Sequence, residues 1–127
     1  MHYEAYAFSR NEQNSTFKFQ SIGKRGKFEK AIVFSLITDN IYNPALLDFN
    51  PLTQDYTDDS ITDNGDMPAI LATVMRVIFG YLTDFLDHRI YLVGNTASRT
   101  RLYQIAINKV FPSTNDCINV SGYYIDL

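Results

Sequence analysis

The chain has 127 residues, of which 46% are apolar and 20% charged, and its formal net charge is −3. This length is usual for one folded unit, so we expect a single domain over residues 1–127. No run reaches the roughly 18 uncharged apolar residues of a membrane span, and the start lacks the layout of a signal peptide. We therefore expect a cytoplasmic protein with no membrane partner, whose net charge disfavours non-specific nucleic-acid binding.

Three segments near the N terminus have the apolar alternation of half-buried or buried strands. The first runs from Tyr3 to Ser9 and the second from Thr16 to Ile22. A turn at Gly23–Gly26 leads into the third, from Lys27 to Ile37. The pattern predicts an antiparallel meander of three strands.

Residues 38–66 form the least regular stretch, with Pro44, Pro51 and a series of aspartates. A structureless loop of this length is uncommon inside a compact domain. We expect a short helical turn near residues 44–47 and a short edge strand near residues 55–61.

The second half of the chain reads as two helices and two strands. Asp66 is placed to cap a helix that starts at Met67-Pro68 and continues to about Asp87, with an apolar stripe at spacings of three and four. A buried strand at 90–94, a second helix from about Ser98 to the proline at 112, and a final strand at 117–127 follow. The fold expected is α+β, a mixed but mainly antiparallel sheet in the order β-β-β-α-β-α-β with both helices on one face.

The turn before the second helix is the most suggestive candidate site. Exposed amides at a helix start attract anions, and hydroxyl and guanidinium groups add donors. Arginines in a first turn oppose the helix dipole unless an anion accompanies them. Arg99 and Arg101 are two positions apart and so project about 200° apart, which means that they do not clamp one group together. The candidate anion-binding residues are Asn95, Thr96, Ser98, Arg99, Thr100 and Arg101.

Two explanations of these arginines stay open. They pair either with an anionic ligand or with an acidic surface of the same chain, whose members are Asp55, Asp58, Asp59, Asp63 and Asp66. The aspartate spacing does not fit a calcium loop, and we expect no metal site. The single glycine of the turn, Gly94, fits neither a P-loop nor a dinucleotide-binding motif.

Charge is unevenly distributed along the chain. Residues 18–30, the basic block, hold five basic residues and one glutamate, whereas residues 48–66, the acidic block, hold six aspartates and no basic residue. Such blocks attract each other, either within one molecule or between two. The basic hairpin tip at 24–27 is interpreted as solvated, although contact with a nucleic-acid backbone is an alternative.

No catalytic constellation is evident. His2 and His88 are isolated from each other and from the single cysteine, Cys117, so nucleophilic triads are hard to assemble. We expect neither catalytic residues nor a cofactor. Acid–base chemistry by Asp63 or Asp66 beside Arg99 is a third hypothesis that depends on their being close together.

Three segments resemble an uncharacterised bacterial family common in Bacteroidetes, domain-of-unknown-function family 6934. They are FKFQSIGKRGKFEKAIVF at 17–34, NGDMPAILATVMRVIFGYL at 64–82 and GNTASRTRLYQIAINK at 94–109. The resemblance implies no activity. It singles out positions in the distinctive third segment, namely Gly94, Thr96, Arg99, Thr100, Arg101 and Tyr103.

Two functions are expected from these observations. The first is a small interaction or regulatory module that engages a protein partner, or a second copy in a homodimer, through its charge-segregated surface. The alternative is a domain that binds a phosphorylated ligand, a nucleotide or a nucleic-acid end, at the turn formed by residues 94–101.

Overall fold

The computed structural model describes residues 4–57, 64–94, 96–110, 119–121 and 124–126. Within them lie eight strands and two helices. Their bounds are β1 Ser9–Arg10, β2 Thr16–Gly23, β3 Gly26–Thr38, β4 Ile41–Asn50, β5 Asp55–Thr57, α1 Met67–Asp84, β6 Arg89–Tyr91, α2 Ala97–Val110, β7 Asn119–Ser121 and β8 Tyr124–Asp126.

One mixed sheet contains all eight strands, in the order β1-β2-β3-β4-β6-β8-β7 with β5 paired to β4. The pairing of β4 with β6 is parallel and the others are antiparallel. The two helices contact each other and share one hydrophobic core with the sheet. The expected α+β class, with a mixed and mainly antiparallel sheet and two packed helices, is confirmed.

The β2–β3 hairpin follows the sequence prediction. Gly23 pairs with Gly26 across the predicted turn, and Gly26 has a φ of 115°, which glycine adopts without strain. Upstream, the predicted first strand is wrong in extent, since β1 contains only Ser9 and Arg10. Tyr6 and Phe8 instead pack on the core from an irregular segment.

The prediction for residues 44–47 is wrong, because they belong to the long strand β4 rather than to a helical turn. Pro44 lies opposite Phe34 of β3. The amide of Phe34 donates to the carbonyl of Ser15, on the β2 side of β3. Phe34 and Pro44 are therefore a pair that exchanges no backbone hydrogen bonds between β3 and β4. The nitrogen of Pro44 therefore faces the other edge of β4, where a proline removes no bond from the β3 ladder. The predicted edge strand is present as β5, Asp55–Thr57, and residues 58–61 of that prediction lie outside the described residues.

Helix α1 begins where Pro68 predicted it and ends at Asp84. Eight of its side chains are buried in the protein. The helix also has the length and mean hydropathy of a membrane span, as the core helix of a folded domain can have. The predicted cap by Asp66 is wrong, since its carboxylate makes no bond to the helix amides. It accepts hydrogen bonds from the hydroxyls of Tyr6 and Ser21, at 2.6 and 2.5 Å.

The C-terminal part differs from the prediction in detail. The strand expected at 90–94 is β6, which covers Arg89–Tyr91 and lies between β4 and β8. The single strand expected at 117–127 is two short ones, β7 and β8, which pair with each other. Cys117 lies outside the described residues.

Candidate functional site

The turn between β6 and α2 is held together by its own threonines. The Thr96 hydroxyl oxygen accepts a hydrogen bond from the Arg99 amide at 3.1 Å, as an N-cap does. The Thr100 hydroxyl oxygen accepts from the Gly94 amide at 2.9 Å and donates to the Thr96 carbonyl at 3.0 Å. Both hydroxyls, expected to be ligand donors, are thus engaged within the turn. Ser98 is exposed, and Asn95 lies outside the described residues.

Gly94 allows the start of α2 to approach β6 closely. A Cβ atom on Gly94 would lie 2.6 Å from both Cβ and Cγ of Arg99 and 3.0 Å from the Thr100 nitrogen. The long side chain can adjust at Cγ, but its Cβ and the backbone nitrogen cannot move without shifting the helix. Because Gly94 has no side chain, the start of α2 can pack at this short distance from the end of β6, and this packing sets the position of Arg99.

We expect Gly94→Ala to destabilise the protein by about 1–3 kcal/mol, the usual cost of inserting a methyl group into a filled space. Gly80→Ala is the matched control, because a Cβ there meets nothing within 4 Å and alanine favours the helix. Urea unfolding of both variants measures the difference. Equal stability of the two variants would show that α2 is free to move away from β6.

A cavity of about 390 Å³ opens beside this turn. Its volume falls within the range of about 300–1,000 Å³ that is typical of small-molecule sites. The walls come from the ends of β3 and β6, the middle of β4 and the first turns of α2, and the lining is largely apolar. The lining residues are Ile37, Asn43, Pro44, Ala45, Leu46, Tyr91, Val93, Gly94, Arg99 and Tyr103.

Arg99 is the cation among these lining residues, and it is half-buried. Among the described residues, no carboxylate lies within ion-pair distance of its guanidinium. Asp55 is exposed on β5, and Asp66 accepts hydrogen bonds from Tyr6 and Ser21. Neither of these two members of the expected acidic surface pairs with Arg99, and Asp58, Asp59 and Asp63 lie outside the described residues.

Tyr103, one turn further along α2, brings another polar group to the cavity besides Asn43 and Arg99. Its side chain is 2% exposed, and its hydroxyl has no hydrogen-bond partner in the described part of the chain. Every fully enclosed side-chain oxygen or nitrogen there has a partner, so this hydroxyl is not fully enclosed, and Tyr103 is one of the residues that line the cavity. Burial raises the pKa of Tyr103 to about 12, and Arg99 lowers it in part. The hydroxyl is therefore protonated at neutral pH and able to donate.

Arg101 lies away from this cavity. It is exposed and does not line the walls, in keeping with the divergence that helical geometry predicts for positions two apart. The candidate site thus contains one of the two arginines. The wall formed by residues 43–46 was missed in the sequence, because Pro44 suggested an irregular segment there.

The structure defines an α+β domain with a small, largely apolar cavity that contains one arginine, at a strand-to-helix turn. A family model described as "Family of unknown function (DUF6934)" matches residues 2–126. The chain belongs to this family, as the resemblance of its three segments implied. Neither the curated proteins nor the solved structures contain a match to the chain.

Proposed function

We propose that this protein binds a small organic anion in the cavity beside the β6–α2 turn. The observation that carries the proposal is Arg99, a half-buried guanidinium in a largely apolar cavity with no carboxylate partner among the described residues. Charge burial is costly unless a partner compensates for it. A ligand carboxylate or phosphate supplies that compensation and takes up the donors of the guanidinium.

Further groups support an anionic ligand with an apolar part. The protonated Tyr103 hydroxyl can donate a second hydrogen bond, and the positive end of the α2 dipole adds a favourable field. Pro44, Leu46 and Val93 offer apolar contacts to the rest of the ligand. The cavity volume suits a small molecule, and the net charge of −3 disfavours a long polyanion.

The charge blocks favour this pocket over a partner surface, because they contact each other within one molecule. Lys30 of the basic block forms an ion pair with Asp48 of the acidic block. Tyr56 donates to Glu29, and the Lys18 ammonium lies 5.3 Å from the centre of the Tyr56 ring. Charged groups of both blocks are thus engaged within the molecule, and fewer of them are left to attract a protein partner.

Arg99→Gln is expected to abolish or strongly weaken ligand binding while the fold remains. A hydrogen bond to a charged group contributes about 1.5–3 kcal/mol, equivalent to about a tenfold to hundredfold change in affinity. Thermal-shift screening against inorganic phosphate, nucleoside monophosphates and N-acetylated amino acids identifies the ligand class, and titration calorimetry then compares the variants.

Arg101→Gln is the matched control, since it removes the same charge from the same helix outside the cavity. We expect it to retain the wild-type affinity within about threefold, because surface charges at this distance are screened. The proposal fails if no anion in the screen stabilises the protein. It also fails if the two glutamine variants lose affinity equally.

A further inference from the structure

Asn43 is one of the residues that line the proposed anion cavity, and its side-chain amide is held in one orientation. The amide nitrogen donates hydrogen bonds to the carbonyls of Tyr91 and Val93, at 2.8 and 3.4 Å. In a continued parallel ladder between β4 and β6, the residue at position 44 would donate to the Tyr91 carbonyl. Pro44 has no N–H, and the Asn43 side chain supplies the donor instead. Because carbonyl oxygens only accept, the end of the Asn43 amide that faces them is its nitrogen.

The other end of this amide is an acceptor with no hydrogen-bond partner in the described part of the chain. Both hydrogens of the Asn43 amide are engaged by backbone carbonyls, so its side chain can offer a ligand only the oxygen, Oδ1. Every fully enclosed side-chain oxygen or nitrogen among the described residues has a partner. Asn43 Oδ1 is therefore not fully enclosed, and a ligand in the cavity can approach it.

Asn43 and Arg99 both lie against one peptide unit, which joins Val93 to Gly94. The Asn43 amide nitrogen lies 3.4 Å from the Val93 carbonyl oxygen. The Cβ and Cγ atoms of Arg99 lie 2.6 Å from the position that a Cβ on Gly94 would take. Bond lengths within the peptide unit then limit the distance between the Asn43 amide nitrogen and Arg99 Cγ to about 10 Å. One small molecule is therefore long enough to contact both side chains.

We propose, on the basis of the anion site above, that Asn43 selects the ligand by accepting a hydrogen bond from a neutral donor beside the ligand's acid group. Arg99 and the Tyr103 hydroxyl bind the acid, and Asn43 Oδ1 accepts from an N–H on the adjoining carbon. The ligand class is thus an acid with such a donor, as in an acylated amino acid, in preference to a plain carboxylic acid or inorganic phosphate. A site that pairs with a ligand N–H rejects an analogue without it, because the acceptor then loses its partner.

The charge of the site explains why the donor is neutral. No carboxylate is among the described residues that line the cavity, so none of them compensates for an ammonium group beside the Arg99 guanidinium. Two cations repel each other strongly in a largely apolar cavity, where dielectric screening is weak. Acylation of an amino group removes its charge and keeps one N–H. Free amino acids should therefore bind more weakly than their acetyl derivatives, by about tenfold or more.

Titration calorimetry with the full chain compares pairs of acids that differ at one position. One member is the N-acetyl derivative of alanine, valine or leucine. The other is the O-acetyl 2-hydroxy acid with the same side chain, in which an ester oxygen replaces the amide N–H. At least one acetyl amino acid should bind more tightly than its ester analogue, by about tenfold to a hundredfold. Equal affinities in every pair would overturn the inference, and this comparison needs only the wild-type protein.

Asn43→Leu tests whether Asn43 is the source of the preference. Leucine removes the acceptor, so the affinity for the acetyl amino acid should fall about tenfold while that for the ester analogue stays within about twofold. Ser35→Ala is the matched control and should keep the preference. Ser35 lies opposite Asn43 on β3, is exposed and does not line the cavity. An equal fall in the affinities for both acids would mean that Asn43 only supports the structure of the cavity wall, and would overturn the inference.

The remaining outcomes separate the two proposals. Arg99-dependent binding with no preference for the acetyl amino acids overturns selection by Asn43 and leaves the anion site intact. A preference that persists in Asn43→Leu also overturns the inference, because another group then recognises the N–H. Tighter binding of free than of acetylated amino acids overturns the requirement for a neutral donor. Absence of binding by every anion, inorganic phosphate and nucleotides included, overturns both proposals.

Discussion

Asp48→Ala is expected to destabilise the protein by about 3–5 kcal/mol, the usual cost of leaving a buried charge without its partner. Lys30 and Asp48 lie opposite each other on β3 and β4 and form an ion pair. The Lys30 side chain is only 4% exposed and that of Asp48 12%. Without the carboxylate, the ammonium must either remain buried unpaired or force the strands apart to reach water. Urea unfolding at constant pH measures the loss.

Two controls separate the ion pair from a general effect of removing an aspartate. Asp55→Ala changes an exposed carboxylate on the adjacent strand β5 and should alter stability by no more than about 0.5 kcal/mol. The double replacement Lys30→Met with Asp48→Leu removes both charges and should recover most of the loss, since apolar residues often replace a buried pair without cost. A loss below about 1 kcal/mol for Asp48→Ala would mean that the Lys30 ammonium is hydrated.

Local patterns predicted the elements whose structure depends on nearby residues. The β2–β3 hairpin follows from its alternation and from glycines at both ends of its turn, and the start of α1 follows from Pro68. The pairing of β4 with β6, two residues long, had no such local signal. Which strands become neighbours depends on the crossover through α1, and no short-range pattern specifies it.

Residues 41–50 show why a strong local signal can mislead. Proline disfavours a central strand because it cannot donate to a ladder. Pro44 is tolerated because its nitrogen faces away from β3, and the strand pairing that sets this direction is a property of the whole sheet. Asp66 gives a second case, in which a predicted helix cap instead accepts hydrogen bonds from Tyr6 and Ser21, both distant in the chain.

The sequence predicted only part of the candidate site, because the rest depends on contacts between elements that are distant in the chain. Helical periodicity placed Arg99 and Arg101 on different sides of α2, and the structure puts Arg99 in the cavity and Arg101 outside it. The hydroxyls of Thr96 and Thr100 were assigned to a ligand, because the sequence does not reveal how tightly the turn closes on Gly94. The opposite wall, from Asn43 to Leu46, required knowledge of the sheet.

Tyr81→Ala is expected to cost about 3–5 kcal/mol, the usual effect of removing a large buried aromatic side chain. Tyr81 is 2% exposed on α1, and its ring stacks on Phe34 of β3 with centroids 3.9 Å apart and planes 2° from parallel. Its ring also packs against Phe85, with centroids 4.7 Å apart. The ring therefore joins the helix to the middle of the sheet, and its loss leaves a cavity between them.

Tyr81→Phe tests the hydroxyl separately from the ring. The hydroxyl lies 2.7 Å from Nδ1 of His88, and burial raises the pKa of Tyr81, so it is protonated at neutral pH. Removing this one hydrogen bond should cost about 0.5–1.5 kcal/mol, much less than removing the ring. Phe79→Ala, on the same helix but 40% exposed, should also cost less than Tyr81→Ala. If Phe79→Ala were as damaging as Tyr81→Ala, the packing of α1 against the sheet would not depend on the Tyr81–Phe34 stack, and the buried face of the helix would have to be reassigned.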